Sequence, residues 1–218
     1  MAKAPRLITK TPSAYSFPLL IKQLLHTPIL YAPDQEIVYR DKMRFTYRDL
    51  YKRINKLANV LEGLDVGPGD MVAILDWDSH RYLECFFAVP SMGAVLHTVN
   101  VRLSPEQILF TMNHAEDVLV IIHEDFLPIL ESIQGQLPTV KKYIVIKEGD
   151  ETPKTSLPSA GEYEELLAQA SDSYTFPDLD ENTQATTFYT TGTTGDPKGV
   201  YYSHRQLVLH TLGGGMGL

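Results

Sequence analysis

Short, continuously apolar runs recur along the middle of the chain: "MVAIL" (71–75), "AVLHTV" (94–99), "VLVII" (118–122) and "YIVI" (143–146). Each has strand length and leaves no polar face for water. Between them lie "DSHRYLECFFAVP", ending near Pro90, "LSPEQILFTMNHA" and "EDFLPILESI", whose mixed patterns read as helices. Ser104 is placed to cap the second of these, with Pro105 at its first position and Gln107 three residues on, a capping-box spacing. Strands apolar on both faces and separated by helices require a parallel sheet covered on each side. The prediction is a doubly wound, mostly parallel α/β sheet over residues 70–147, with right-handed crossovers.

The flanks are more varied. The first 30 residues are punctuated by proline, with one short helix expected around "PLLIKQLL". In "EIVYRDKMRFTY" two extended runs meet at Asp41-Lys42, a hairpin pattern. Thr46 then caps a helix carrying Asp49 in its first turn and Leu50, Ile54, Leu57 and Leu61 on one face, with Gly63 as its stop. Residues 148–161 read as a polar surface loop, and "EYEELLAQA" as a short helix docking through Tyr163, Leu166 and Leu167. "ATTFYTT" (185–191) reads as a strand, "GVYYSH" as another, and "RQLVLHTL" as the start of a helix. The expected organisation is an N-terminal arm over 1–33 and an α/β region over 34–218.

Composition narrows the function. With 44% hydrophobic and 21% charged residues in 218, the chain has ordinary globular usage and length enough for one ample core. A net charge of -8 argues against nucleic acid or an anionic membrane as partner, so any polyanionic ligand needs a local cluster of donors. Cys85, the single cysteine, excludes an internal disulfide and sits in an apolar run suited to a buried, inert thiol. The N-terminus lacks the apolar core of a signal peptide, and no stretch is apolar for the roughly 18 residues of a membrane span. A cytoplasmic protein without a transmembrane segment is expected.

The candidate chemistry lies in "YTTGTTGDPKGV", Tyr189 to Val200, with four threonines and three glycines in twelve residues. A strand, a Gly/Thr-rich turn and then a lysine suit a phosphate, because glycines bring amides close while hydroxyls and an ammonium add donors. The Walker pattern does not fit, since Lys198 is followed by Gly199 and not by serine or threonine. From these residues the segment is either a different phosphate loop or a tight exposed turn. The seven histidines, His26, His80, His97, His114, His123, His204 and His210, contain no i, i+4 pair, which disfavours a helical zinc site. His204 and Arg205 follow the loop and are weighed equally as phosphate contacts or structural residues. Asp76 and Asp78 flank Trp77 and read as a carboxylate pair or, more economically, as caps of the following helix.

The whole string "YTTGTTGDPKG" resembles the AMP-forming adenylation signature of the superfamily that unites acyl-CoA synthetases, luciferases and peptide-synthetase adenylation domains. It matches at every motif position, with Asp196 at the variable one. The stretches "GPGDMVAIL", "LECFFAVPSMGAVLHTVNVRLSPEQI", "NHAEDVLVII" and "YYSHRQLVLHT" extend the likeness to medium- and long-chain fatty acyl-CoA synthetases over about Asp34 to Leu212. Asn100 and Arg102 fit that pattern as loop-packing residues. The resemblance implies the N-terminal domain of the adenylate-forming fold. The implied ligase uses ATP and Mg²⁺ to turn a fatty acid into acyl-AMP and then passes the acyl group to coenzyme A. It assigns the β- and γ-phosphates to Thr190, Thr191, Gly192, Thr193, Thr194, Gly195 and Lys198, and a Mg²⁺ contact to Thr190.

Other parts of that machinery would lie beyond residue 218. They are a Mg²⁺-binding glutamate, a ribose-binding aspartate and a small C-terminal domain with the catalytic lysine, so no catalytic residue is assigned within this chain. The expectation is a fragment inactive by itself, with strands after the loop short of sheet partners and a tail past about residue 200 that is disordered or self-associating. Homodimerisation through the N-terminal portion is a further implication of the resemblance. The alternatives are a non-catalytic remnant serving as a binding or assembly module, or an acyl- or aryl-acid adenylating enzyme of another subfamily.

Overall fold

Thr46 ends one element and begins the next. In the computed structural model, which describes residues 6–190 and 197–215, the strands β1 (Glu36–Tyr39) and β2 (Met43–Thr46) form the expected antiparallel hairpin. Thr46 then caps the helix Tyr47–Gly63: its hydroxyl accepts the Asp49 amide at 3.2 Å, while the Asp49 carboxylate accepts the Thr46 amide at 3.0 Å. Both bonds satisfy amides that a helix start leaves without partners. Preceding the hairpin, a 3₁₀ turn (Ile21–Leu25) leads into helix α1 (His26–Tyr31), so Tyr47–Gly63 is α2. The single short helix expected near the N-terminus is thus two consecutive turns of different pitch. Leu20, Ile21 and Leu25 are buried there, and Ile21 packs with Ala185 and Val208.

The remaining elements follow in order: β3 (Met71–Leu75), α3 (His80–Ser91), β4 (Val95–Thr98), α4 (Pro105–Ala115), β5 (Leu119–His123), α5 (Leu127–Ile133), β6 (Lys142–Ile146), β7 (Ser159–Glu162), α6 (Tyr163–Gln169), β8 (Gln184–Thr190), β9 (Lys198–Ser203) and α7 (His204–Gly215). Seven strands form one sheet in the order β7-β6-β5-β3-β4-β8-β9. All neighbours are parallel except β8 and β9. The doubly wound prediction holds, and the strand order also explains the continuous apolar runs. Val72, Ile74, Leu96, Ile121 and Ile144 point into a core shared with α2 and α3, whereas Ala73, Leu75, Val120, Ile122 and Val145 point into a second core with α4 and α5. A strand buried on both faces favours apolar side chains and takes a polar one only with a partner, as His97 of β4 has in Asp117.

Two expectations need correction. The end of the 148–161 loop is not irregular: Ser159–Glu162 is the edge strand β7, paired with β6 with a register shift between Tyr143 and Ile144. Small residues with little strand propensity hide it in the sequence. Gly161 sits at φ +149°, and a Cβ there would lie 3.1 Å from the Leu166 side chain, so glycine is what the position admits. The cap of α3 is Ser79, which accepts the Arg81 amide at 3.1 Å; Asp76 instead accepts the Ser79 hydroxyl, and Asp78 is exposed. The segment after the loop forms β9 and α7 through Gly215, with Val208 buried.

Candidate functional site

Strand β8 runs beside β4, with Ala185, Thr186, Thr187 and Tyr189 buried, and emerges into solvent at Thr190. Strand β9 returns antiparallel, pairing Tyr189 with Gly199 and Thr190 with Lys198. The hydroxyl of Thr187 ties the two strands further by donating to the Val200 carbonyl at 3.0 Å. Thr190 and Lys198 are therefore cross-strand neighbours at the exposed end of a two-stranded ribbon. Thr191, Gly192, Thr193, Thr194 and Gly195 lie outside the described residues. Lys198 is exposed and makes no ion pair among the described residues, which leaves its ammonium facing solvent.

A polar group lies beneath this ribbon, with His97, Asp117 and Tyr189 buried and His114 exposed. The Tyr189 hydroxyl is 2.7 Å from His114 Nδ1, and the His97 ring meets the Tyr189 ring edge-on with centroids 5.2 Å apart. His97 Nδ1 lies 2.8 Å from the Asp117 carboxylate, both residues being inaccessible to solvent. Burial raises the Asp117 carboxyl above the ordinary range, while the charge and hydrogen bond of His97 pull it down. No sequence spacing foretells this convergence of β4, α4 and β8, because the residues are up to 92 positions apart.

Other candidates resolve as structure. His204 is fully buried, accepts the Ile21 amide at 3.2 Å, and is held neutral by burial, its imidazole driven down to about 4. Arg205 pairs with Glu181 at 2.5 Å. Neither is directed to a phosphate. Asn100 accepts the Arg102 amide at 3.0 Å, a loop-packing bond as expected. Cys85 is fully buried, and burial followed by the nearby Glu84 pushes its thiol well above the usual value, so it is not a nucleophile. Trp77 donates to Asp125 at 2.8 Å, and buried Asp76 and exposed Asp78 do not form a carboxylate pair.

The largest charged cluster joins helices. Arg53 is bidentate to Glu84 (2.6 and 3.3 Å) and to Glu164 (2.8 and 3.0 Å), and the Tyr163 hydroxyl donates to Glu84 at 2.7 Å. Burial would raise Glu164, but hydrogen bonds from His80 and Arg53, with the charges of Arg53 and Arg81, hold it well below the carboxylate range. Among the described residues no group of three or more His, Cys, Asp or Glu would hold a metal, and no helix is long and apolar enough to cross a membrane. A Mg²⁺ ion would find the Thr190 hydroxyl here and would draw its remaining oxygens from phosphates and water, as this ion commonly does.

Comparison with known proteins shows the family. The family described as "AMP-binding enzyme" matches residues 30–216. The chain is 47% identical over 169 residues to a long-chain-fatty-acid–CoA ligase of Thermus thermophilus, covering 78% of this chain and 30% of that protein. It is 41% identical over 169 residues to a medium-chain-fatty-acid–CoA ligase of Ectopseudomonas oleovorans, covering 78% and 31%. Among solved structures, an anthranilate CoA ligase in complex with anthranoyl-AMP superposes with a TM-score of 0.78 at 25% identity, covering 87% of this chain and 36% of that one. The chain spans about a third of the length of the curated relatives it matches.

Proposed function

The chain belongs to the AMP-binding enzyme family, and from that premise we propose that it supplies the phosphate-binding side of a fatty acid–CoA ligase. A carboxylate oxygen of a medium- or long-chain fatty acid attacks the α-phosphorus of ATP. The bond from that phosphorus to the bridging oxygen breaks, and pyrophosphate leaves. The coenzyme A thiol, after losing its proton, then attacks the acyl carbon of acyl-AMP, and AMP departs.

The observation that carries this reading is the cross-strand pairing of Thr190 with Lys198 at the exposed end of β8 and β9. A hydroxyl and an ammonium side by side offer a donor and a mobile cation to one phosphate chain. Attack of one anion on another is slowed by repulsion, and fixed donors aimed at the departing phosphates lower that barrier. Thr191, Gly192, Thr193, Thr194 and Gly195 complete the proposed clamp on the β- and γ-phosphates. Mg²⁺ would enter with ATP, touching Thr190, and would supply charge neutralisation. We propose a cytoplasmic location for that ligase. The exposed Leu7, Ile8, Tyr15 and Phe17 are the surface that supports a homodimer through the N-terminal portion.

The test is the first half-reaction in a full-length ligase carrying this segment. Thr190→Ala and Lys198→Ala are expected to slow pyrophosphate release more than they weaken fatty-acid binding. Unchanged adenylation in both variants would overturn the assignment.

A further inference from the structure

Tyr189 is the last buried residue of β8 before the strand reaches Thr190. Burial first, then the neighbouring Tyr201 and Asp117, hold its phenol above the ordinary value, so it keeps its proton. At 2.7 Å the hydroxyl and His114 Nδ1 share one hydrogen bond, whose donor is set by the imidazole tautomer. The partners of Tyr189 are themselves fixed. Phe110 stacks on His114 with centroids 5.8 Å apart, and Asp117 holds His97 against the other side of the tyrosine ring.

The same ring touches the returning strand. A Cβ on Gly199, the ladder partner of Tyr189, would lie 3.3 Å from Tyr189 Cε1 and 3.1 Å from Tyr201 Oη. The tyrosine thus packs directly on the backbone that carries Lys198, one ladder step from the Thr190–Lys198 pair. Displacing the ring displaces the ends of both strands.

We propose that Tyr189 and His114 are positioning residues for the phosphate-binding pair: their hydrogen bond fixes the ends of β8 and β9 and so holds Thr190 and Lys198 in register. The proposal rests on reading Thr190 and Lys198 as phosphate donors. Packing alone would be served by phenylalanine at 189. The hydroxyl adds a direction, because it ties the strand end to one point at the end of α4.

The test uses a full-length ligase carrying this segment, with Mg·ATP in a calorimeter, together with backbone amide exchange over residues 197–203. Losing one hydrogen bond is expected to weaken Mg·ATP binding and speed exchange by about three- to tenfold in Tyr189→Phe and His114→Leu. His114→Gln, whose side-chain amide can donate or accept in the same bond, is expected to restore both. Unchanged exchange in Tyr189→Phe overturns the positioning role, as does a His114→Gln variant that behaves like His114→Leu. Faster exchange with unaltered Mg·ATP affinity breaks the link to the site. Mg·ATP binding unmoved by Lys198→Ala overturns the phosphate reading itself. Amide exchange then still decides whether the hydrogen bond orders the strand ends.

Discussion

Gly199 lies opposite Tyr189 in the β8–β9 ladder, and the tyrosine ring leaves no room for a side chain at 199. Tyr201 closes the same space, its hydroxyl 3.1 Å from where a Cβ would stand. Gly199→Ala is therefore expected to force both rings aside at a cost of about 1–3 kcal/mol, as overpacking does. Denaturant titration would read the loss. The substitution also moves Lys198, so Mg·ATP binding is expected to weaken beyond what stability explains. An alanine variant as stable as the parent would mean that the rings give way freely.

A second consequence concerns the buried ion cluster. Glu84 is fully buried and takes bonds from Arg53 and the Tyr163 hydroxyl, which joins α2, α3 and α6. Removing one partner strands the other charge away from water. Arg53→Met is expected to cost about 3–5 kcal/mol, whereas Arg53→Met combined with Glu84→Gln costs less than the two single changes added together. Chemical denaturation of the four members of this cycle checks it. Strict additivity would show that water already solvates Glu84.

The start of α2 gives a smaller, cleaner effect. Thr46 and Asp49 cap each other reciprocally, and loss of the threonine oxygen leaves the Asp49 amide without a partner. Thr46→Ala is expected to destabilise by about 1 kcal/mol, with Thr46→Ser close to the parent. A thermal melt with no change in Thr46→Ala would assign that amide to solvent.

Legibility in the sequence followed the physics of each element. The strands β3 to β6 announced themselves because burial on both faces left them nearly all apolar, and α2 and α4 carried complete capping boxes. Strand β7 did not, because Ser159, Ala160 and Gly161 pair through backbone alone and carry no periodic signal. At the proposed site, local pattern singled out Thr190 and Lys198, and the strands on each side of the loop implied the hairpin that pairs them. The group beneath them could not be read in this way. His97, His114 and Asp117 meet Tyr189 only because β4 and β8 are sheet neighbours, and that adjacency skips over three intervening strands in the chain. His204 was misleading for the opposite reason: its place just after the loop suggested phosphate, while the fold turns it inward to the N-terminal segment.

That inward turn makes His204 a source of acid lability. In the folded chain its imidazole is driven down to about 4 by burial, against an ordinary value of 6.5. Between those values the unfolded chain binds a proton that the folded chain refuses, so stability rises with pH across the window. The contribution is complete above pH 6.5 and is progressively lost as pH falls toward 4. The melting temperature is therefore expected to drop on acidification in this range. His204→Asn lacks the titrating ring and is expected to start lower at pH 7, having lost the fitted acceptor for the Ile21 amide, yet to show a shallower slope. Glu164 acts in a separate range: its depressed carboxyl supports the fold above its ordinary value of 4.5 and loses that support only as pH falls below it. Melts at half-unit steps from pH 7 to 4.5 isolate the histidine. An equal slope in His204→Asn would locate the acid-sensitive group elsewhere.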